Sequence, residues 1–288
     1  MSIQDDTWHM APEYPDRVHY ATGVLLDAGD FYAEQNYHRG RLATALLYLM
    51  GSGTVAGLKV EWEDSLEPGG EFPDGRDERL VVHPGIAIDR LGRIIEVPRA
   101  WCIRLDGWYN AQDADELQQG FKPPPLGSVV VDVFVRFVAC ERGKTPAFAS
   151  GPFDALDAVQ PSRLRDAHHM SLVIRKDSNP PTPHNRWTGL PADATATEMH
   201  EAILNPLTSE QTKRDSNGEL TPLREHVDGQ DVTDLFLARV TIPAESSADG
   251  LRPTRTEESN VIVDNQKRAF VYNPVALAKR DGITFEAP

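Results

Sequence analysis

The stretch from Gly23 to Pro98 constrains the fold most, because a helical repeat there gives way abruptly to glycine-punctuated strand patterns. Phe31, His38, Leu42, Ala45, Leu46 and Leu49 recur at spacings of three, four and seven, the period of one buried helix face. Tyr37, Leu47 and Tyr48 widen that face. Asp27 or Asp30 is placed to cap the helix, Glu34 favours its positive first turn, and Gly51 is expected to close it as a left-handed cap. Gly53 to Gly57 then reads as a turn into Leu58–Trp62, whose alternating apolar residues fit a half-buried strand. Arg79–His83, Ile86–Asp89 and Arg93–Val97 continue in strand patterns. Pro84-Gly85 between them suits a type II turn, and Arg90-Leu-Gly92 suits a hairpin loop. The expectation is a β-meander packed against the preceding helix.

Beyond this unit the strand pattern repeats with longer interruptions. Trp101–Leu105 is a strand, 112–119 a short helix, and Lys122 to Gly127, with three consecutive prolines, a rigid spacer. Ser128–Ala139 is long and β-branched, as a central strand should be. Within it Asp132 and Arg136 share a face and should meet solvent or each other. His169–Arg175, Leu235–Ile242 and Val261–Asp264 are further strands, and Ala196–Leu204 a short helix. The fold class expected is mainly β with one N-terminal amphipathic helix (α+β), built from antiparallel sheets and meanders with long loops. The chain divides into an extended arm (1–22), a helix-plus-meander unit (23–106), a linker (107–127) and a β-rich unit (128–288), which can share one domain with 23–106. Loops beyond about 12–15 residues are usually functional or disordered, so those after Glu141 are where docking is expected.

Composition excludes several function classes. The net charge is −15, with 44 acids against 29 bases, which opposes nucleic acid and anionic membranes as partners. Two cysteines, Cys102 and Cys140, are too few for a disulfide scaffold or a zinc cage, and their apolar neighbours predict buried free thiols. The first residues lack the basic start and apolar run of a secretory signal, and no stretch approaches the ~20 apolar residues of a membrane helix. The expected location is the cytoplasm, without membrane insertion.

Each candidate for chemistry has a plainer explanation. His168 and His169 are adjacent in a strand, so only one can face a given site. His200-Glu201 opens like a zincin helix, but Leu204 stands where the second histidine is required. Ser162-Arg-Leu-Arg-Asp166 could bind an anion, although arginines paired with nearby acids are expected. Asp89 and Glu96 could form a carboxylate pair for glycoside hydrolysis, although exposed hairpin acids are far commoner. The glycine run Gly51–Gly57 follows a helix and enters a strand, the reverse of the order that cradles phosphate. Cys140-Glu141 lacks a local nucleophile pattern. No catalytic, cofactor-binding or metal residue is assigned, and no cofactor is expected.

Three blocks carry a resemblance: Gly-Val-Leu-Leu with Asp-Phe and Glu-Gln-x-Tyr-His-x-x-Arg; Gly-x-Gly-x-Val-x-Gly-Leu-x-Val; and Pro-Gly-x-Ala-Ile-Asp-x-x-Gly-Arg-x-Ile. A Cys-Glu pair ending a strand, an insert, and Pro-Ser-Arg-Leu-Arg-Asp before the next strand extend it. From Gly23 to about Arg175, and more loosely at Leu237-Ala-Arg-Val, the sequence is similar to a poorly characterised family encoded among phage-tail-like and contractile-injection-system genes. Cys140 stands alone where that family often has additional cysteines in the insert. The resemblance implies a non-enzymatic structural component at the baseplate, fibre attachment or sheath periphery. It would be used in several symmetric copies among baseplate, sheath, tube or fibre proteins. Two rival expectations are a receptor- or glycan-binding module displaying Trp108, Tyr109 and Trp187, and a particle-borne cell-wall hydrolase using Asp89 and Glu96.

Overall fold

The computed structural model describes residues 3–4, 16–69, 73–123, 127–146, 159–184, 195–204, 210–247, 252–256 and 260–272. Most of the expected arm, the proline spacer, most of the insert after Glu141, and Trp187 lie outside these residues. In chain order the first elements are strand β1 (Ile3–Gln4), helix α1 (Ala28–Met50) and strands β2 (Gly53–Gly57) and β3 (Val60–Glu63). Strands β4 (Arg79–Val82), β5 (Gly85–Ile88), β6 (Ile94–Val97) and β7 (Trp101–Arg104) precede helices α2 (Leu105–Ala111) and α3 (Ala114–Gly120). Then come β8 (Phe121–Lys122), β9 (Ser128–Arg142), β10 (Thr145–Pro146), β11 (Val159–Gln160), β12 (Arg163–Ile174) and helix α4 (Ala196–Leu204). The last elements are β13 (Leu235–Glu245), β14 (Thr254–Arg255) and β15 (Ile262–Asp264). The protein is mainly β, with antiparallel sheets and an N-terminal helix.

Strand β9 is the spine. β12 runs antiparallel along one edge, from Arg163 opposite Arg142 to Ile174 opposite Val131. β13 runs along the other edge, with a bulge between Phe236 and Ala238. β1, β8, β14 and β15 complete a seven-stranded sheet. Two three-stranded sheets, β2-β5-β6 and β3-β4-β7, complete the meander. Because side chains alternate along a strand, β9 has two distinct faces. Val129, Val131, Val133, Val135, Phe137 and Ala139 enter one core cluster with Leu58, Val60, Leu80, Val82, Ile95 and Val97 of the meander. Burying each such aliphatic side chain is worth roughly 1.5–3 kcal/mol, so this shared core joins 23–106 to 128–288. Tyr109 and Leu117 belong to the same cluster, so 107–127, expected as a linker, carries two helices into the core.

The opposite face of β9 carries Asp132, Phe134 and Arg136, and the long segment between residues 210 and 234 lies across it. The rings of His226 and Phe236 meet Phe134 edge-on, at 6.0 and 5.7 Å between centroids. Asp132 and Arg136 do share a face, but they do not meet each other, and only the half-buried Arg136 reaches solvent. Asp132 is fully buried and accepts from Arg239 Nε and Nη2 at 2.7 and 2.9 Å, while Arg136 Nη1 donates to Asp231 at 2.8 Å. A buried carboxylate on a strand demands a cation, and here it comes from the neighbouring strand at the paired position.

The meander's glycines differ from expectation in two respects. Gly85 does not take the positive φ of a type II turn. It starts β5, and a Cβ there would stand 2.4 Å from both Ala56 O and Leu58 N. Gly53–Gly57 is itself a strand rather than a turn, with its bulge between Thr54 and Ala56 and Leu58 forced to a φ of 56° just after it. Segment 265–271 ties down this corner: Asn265 exchanges hydrogen bonds with both backbone groups of Val60, and Val271 N donates to Thr54 O. Cys140 is buried as expected, whereas Cys102, on the outer face of β7, is exposed; both are free.

Candidate interaction surface

Helix α1 forms for the local reasons its sequence suggests. Both candidate caps act together: Asp27 Oδ1 accepts from Gly29 N and Asp30 N, and Asp30 Oδ2 accepts from Asp27 N. Gly51 ends it with the expected positive φ, 76°, but ψ is −177°, so the residue is not left-handed helical. What departs from expectation is the direction of its apolar face. Only Ala43 is buried along the whole helix. Phe31 is 52% exposed, Leu42 55% and Leu49 81%, and Leu25 in the lead-in is 95% exposed.

The helix touches the body along a narrow edge. Tyr37, Leu46, Leu47 and Met50 are half-buried on either side of Ala43. The central contact is Ala43 against Gly92, where a Cβ on the glycine would stand 1.9 Å from the Ala43 carbonyl oxygen. A small cleft of about 100 Å³ beside it is lined by Leu42, Leu46, Ile94, Phe137 and Arg93. The meander therefore seats one turn of α1 and does not cover its face. The exposed positions Ala28, Phe31, Gln35, His38, Leu42, Ala45 and Leu49 alternate at three and four residues, the spacing of a coiled-coil seam. Tyr20 donates to Glu34, which holds the lead-in against the helix flank, and the anionic acceptor pushes the phenol's pKa up.

The residues singled out for chemistry are placed apart. Asp89 is fully buried and accepts from Leu91 N, Arg93 N and Arg93 Nε at 2.9, 2.9 and 2.6 Å, so it builds the hairpin loop. Glu96 is exposed at the far end of β6, opposite Ile86, and does not face it. His168 lies 3.0 Å from the Glu96 carbonyl oxygen, while His169 points to the other face of β12, where burial and Arg136 lower its pKa. His200 and Glu201 are exposed on α4. Among the described residues no group of three or more His, Cys, Asp or Glu is arranged to hold a metal ion. Tyr109 is buried with its hydroxyl donating to Pro253 O, and Trp108 packs on the core, so the expected exposed aromatic cluster does not form between them. The Gly51–Gly57 run is occupied by its own chain, with Thr54 N donating to Ala269 O at 2.9 Å.

Sequence reasoning missed the outward face of α1. The available signal was its width: Tyr37, Leu47 and Tyr48 extend the apolar stripe beyond what one neighbouring surface can cover. No helix among the described residues is long and apolar enough to cross a membrane. No protein-family model matches the sequence, and no curated protein matches it closely enough to indicate kinship.

Proposed function

We propose that the protein is a non-enzymatic structural component of a phage-tail-like contractile particle, assembled in the cytoplasm from several copies that join through α1. The observation that supports this reading most is the uncovered seam of α1. A 23-residue helix that leaves Phe31, Leu42 and Leu49 in solvent places an apolar stripe where an isolated monomer gains nothing from it. The three-four spacing of that stripe is self-complementary, so the partner it suits is the same helix in another copy. Gln35 within the seam is the kind of polar position that fixes register between helices at some cost in stability. The resemblance of Gly23–Arg175 to proteins of contractile particles supplies the setting, with baseplate or fibre attachment as the place.

The test is the mass of the purified full chain in solution by light scattering across a dilution series, with and without Leu42→Glu. A defined oligomer that the substitution dissolves is the expected outcome. A monomer at every concentration that also fails to co-purify with sheath, tube or baseplate proteins would sink the reading.

A further inference from the structure

The β9–β12 hairpin carries a second surface. Arg163 pairs with Arg142 across the strands, and Arg165 lies opposite Cys140, so the three arginines occupy one face of the hairpin. All three are exposed, and they line a cleft of about 580 Å³ with Ser162, Leu164 and Gly143. Like charges directly opposite one another in an antiparallel pair are destabilising. Arg142 opposite Arg163 is such a pair, and among the described residues no carboxylate lies within ion-pair distance of any of the three. In a chain with 44 acids, three neighbouring arginines without an acid partner run against the overall charge balance.

The same face provides a precedent six residues along β9. There Arg136 meets Asp231, an acid delivered by the 210–234 segment lying across the sheet. Cys140 on this face is still buried, but beyond it Arg142 is exposed, as are Arg163 and Arg165 on β12. We infer that the Arg142–Arg163–Arg165 cleft takes an acidic peptide segment of a neighbouring subunit, its Asp and Glu side chains paired with the guanidinium forks. Arginine suits this task because its planar fork binds a carboxylate through two parallel hydrogen bonds. The hydroxyl of Ser162, already 3.3 Å from Arg142 O, lies at the mouth of the cleft beside these groups. An acidic segment here would steer association over a surface whose overall charge repels like copies.

The partner's identity as a subunit rests on the reading of the protein as an assembly component; the site itself does not. Its test uses the full chain and a ten-residue alternating Asp-Glu peptide, titrated by calorimetry at low and at 0.5 M salt, with inorganic phosphate as a parallel probe. Binding of the peptide that weakens at least tenfold in Arg163→Gln and in Arg165→Gln, and collapses in high salt, is the expected result. No binding of either probe overturns the inference, and phosphate binding without peptide binding reassigns the cleft to a small anion and overturns it too. A fold readout accompanies these: Arg163→Gln should raise the melting temperature at low salt by relieving the Arg142 repulsion. A lowered melting temperature would mean the arginine has an acid partner within its own chain, which also overturns the proposal. Loss of peptide binding while α1-dependent association persists refutes this site alone; the reverse refutes only the reading of α1.

Discussion

Segment 210–234 and helix α1 exchange the roles their sequences suggest. The first is polar, turn-rich and long, and reads as an outward loop. It is in fact pinned to the body by buried arginines. Arg90 Nε donates to Gln211 O at 2.9 Å, and its Nη1 donates to Thr221 O and Val232 O at 2.5 and 3.2 Å. Arg175, 1% exposed, donates to Glu225 O and reaches Asp177 and Asp132. The second repeats apolar residues at three, four and seven and reads as a core helix, yet it presents that stripe to solvent. A hydrophobic period says that a face requires cover and not which chain supplies it. A polar loop becomes part of the body when a guanidinium satisfies its carbonyls, because the segment's backbone groups then need no water.

The largest effect should come from the anchor beneath the pinned segment. Asp132→Ala would leave Arg239 as a buried cation without its carboxylate and Arg175 with Asp177 alone, a loss of about 3–5 kcal/mol for breaking a buried pair. Urea unfolding of the variant measures it. A cost below ~1 kcal/mol would mean that the face under 210–234 is wet, and the contrast with α1 would fail. Arg90→Ala should follow at about 2–4 kcal/mol, since three carbonyls lose their donor in a buried place. Here hydrogen exchange is the sharper probe: amides of 210–234 should lose protection while those of α1 are unchanged.

The sequence made much of the fold legible where one residue type has one job. The capping acids of α1 and the Arg90-Leu-Gly92 hairpin, with Gly92 at φ 82°, both follow from local geometry. The strand Ser128–Ala139 was visible from its β-branched run, and its two faces from their period of two. What lay beyond reach depended on distant partners. Nothing near Asp132 in sequence indicates Arg239, 107 residues away, and nothing near Arg90 indicates the carbonyls of Gln211 and Val232. The same holds for the candidate surfaces. Arg163 and Arg165 stand out in the sequence, but their facing residue, Arg142, becomes a neighbour only through strand register.

A pH experiment separates the pinned segment from the rest. Burial pushes the Asp234 carboxyl up to about 6, nearby Asp231 adds to the rise, and donation from Gln230 opposes it. The folded group therefore binds its proton more tightly than the unfolded one, near 3.8, so ionised Asp234 costs stability above pH 6. That cost fades as the pH falls from 6 toward 4. Asp234→Asn should accordingly stabilise the protein at pH 7 by on the order of 2–3 kcal/mol, with the gain over the parent vanishing near pH 4. His226 works in the opposite direction, since burial lowers its pKa and it must charge as the pH falls. The difference between the two proteins cancels that contribution, and a constant offset across the range would contradict the buried placement of Asp234.

The smallest expected change in stability belongs to α1, and it is the most informative. Leu42→Glu alters a side chain that is 55% exposed and leaves the Ala43–Gly92 seat intact. Under conditions where the chain is monomeric, a substitution at such a surface position should shift unfolding by less than about 0.5 kcal/mol. The parent protein should nevertheless melt higher as its concentration rises, because association stabilises the folded state by mass action, and the variant should not. A seam of stacked copies removes Phe31, Leu42 and Leu49 from water together, so one glutamate placed among them acts on the assembly far more than on the fold. If instead the monomeric variant lost several kcal/mol, α1 would be covered by its own chain, and the apolar stripe would be core after all.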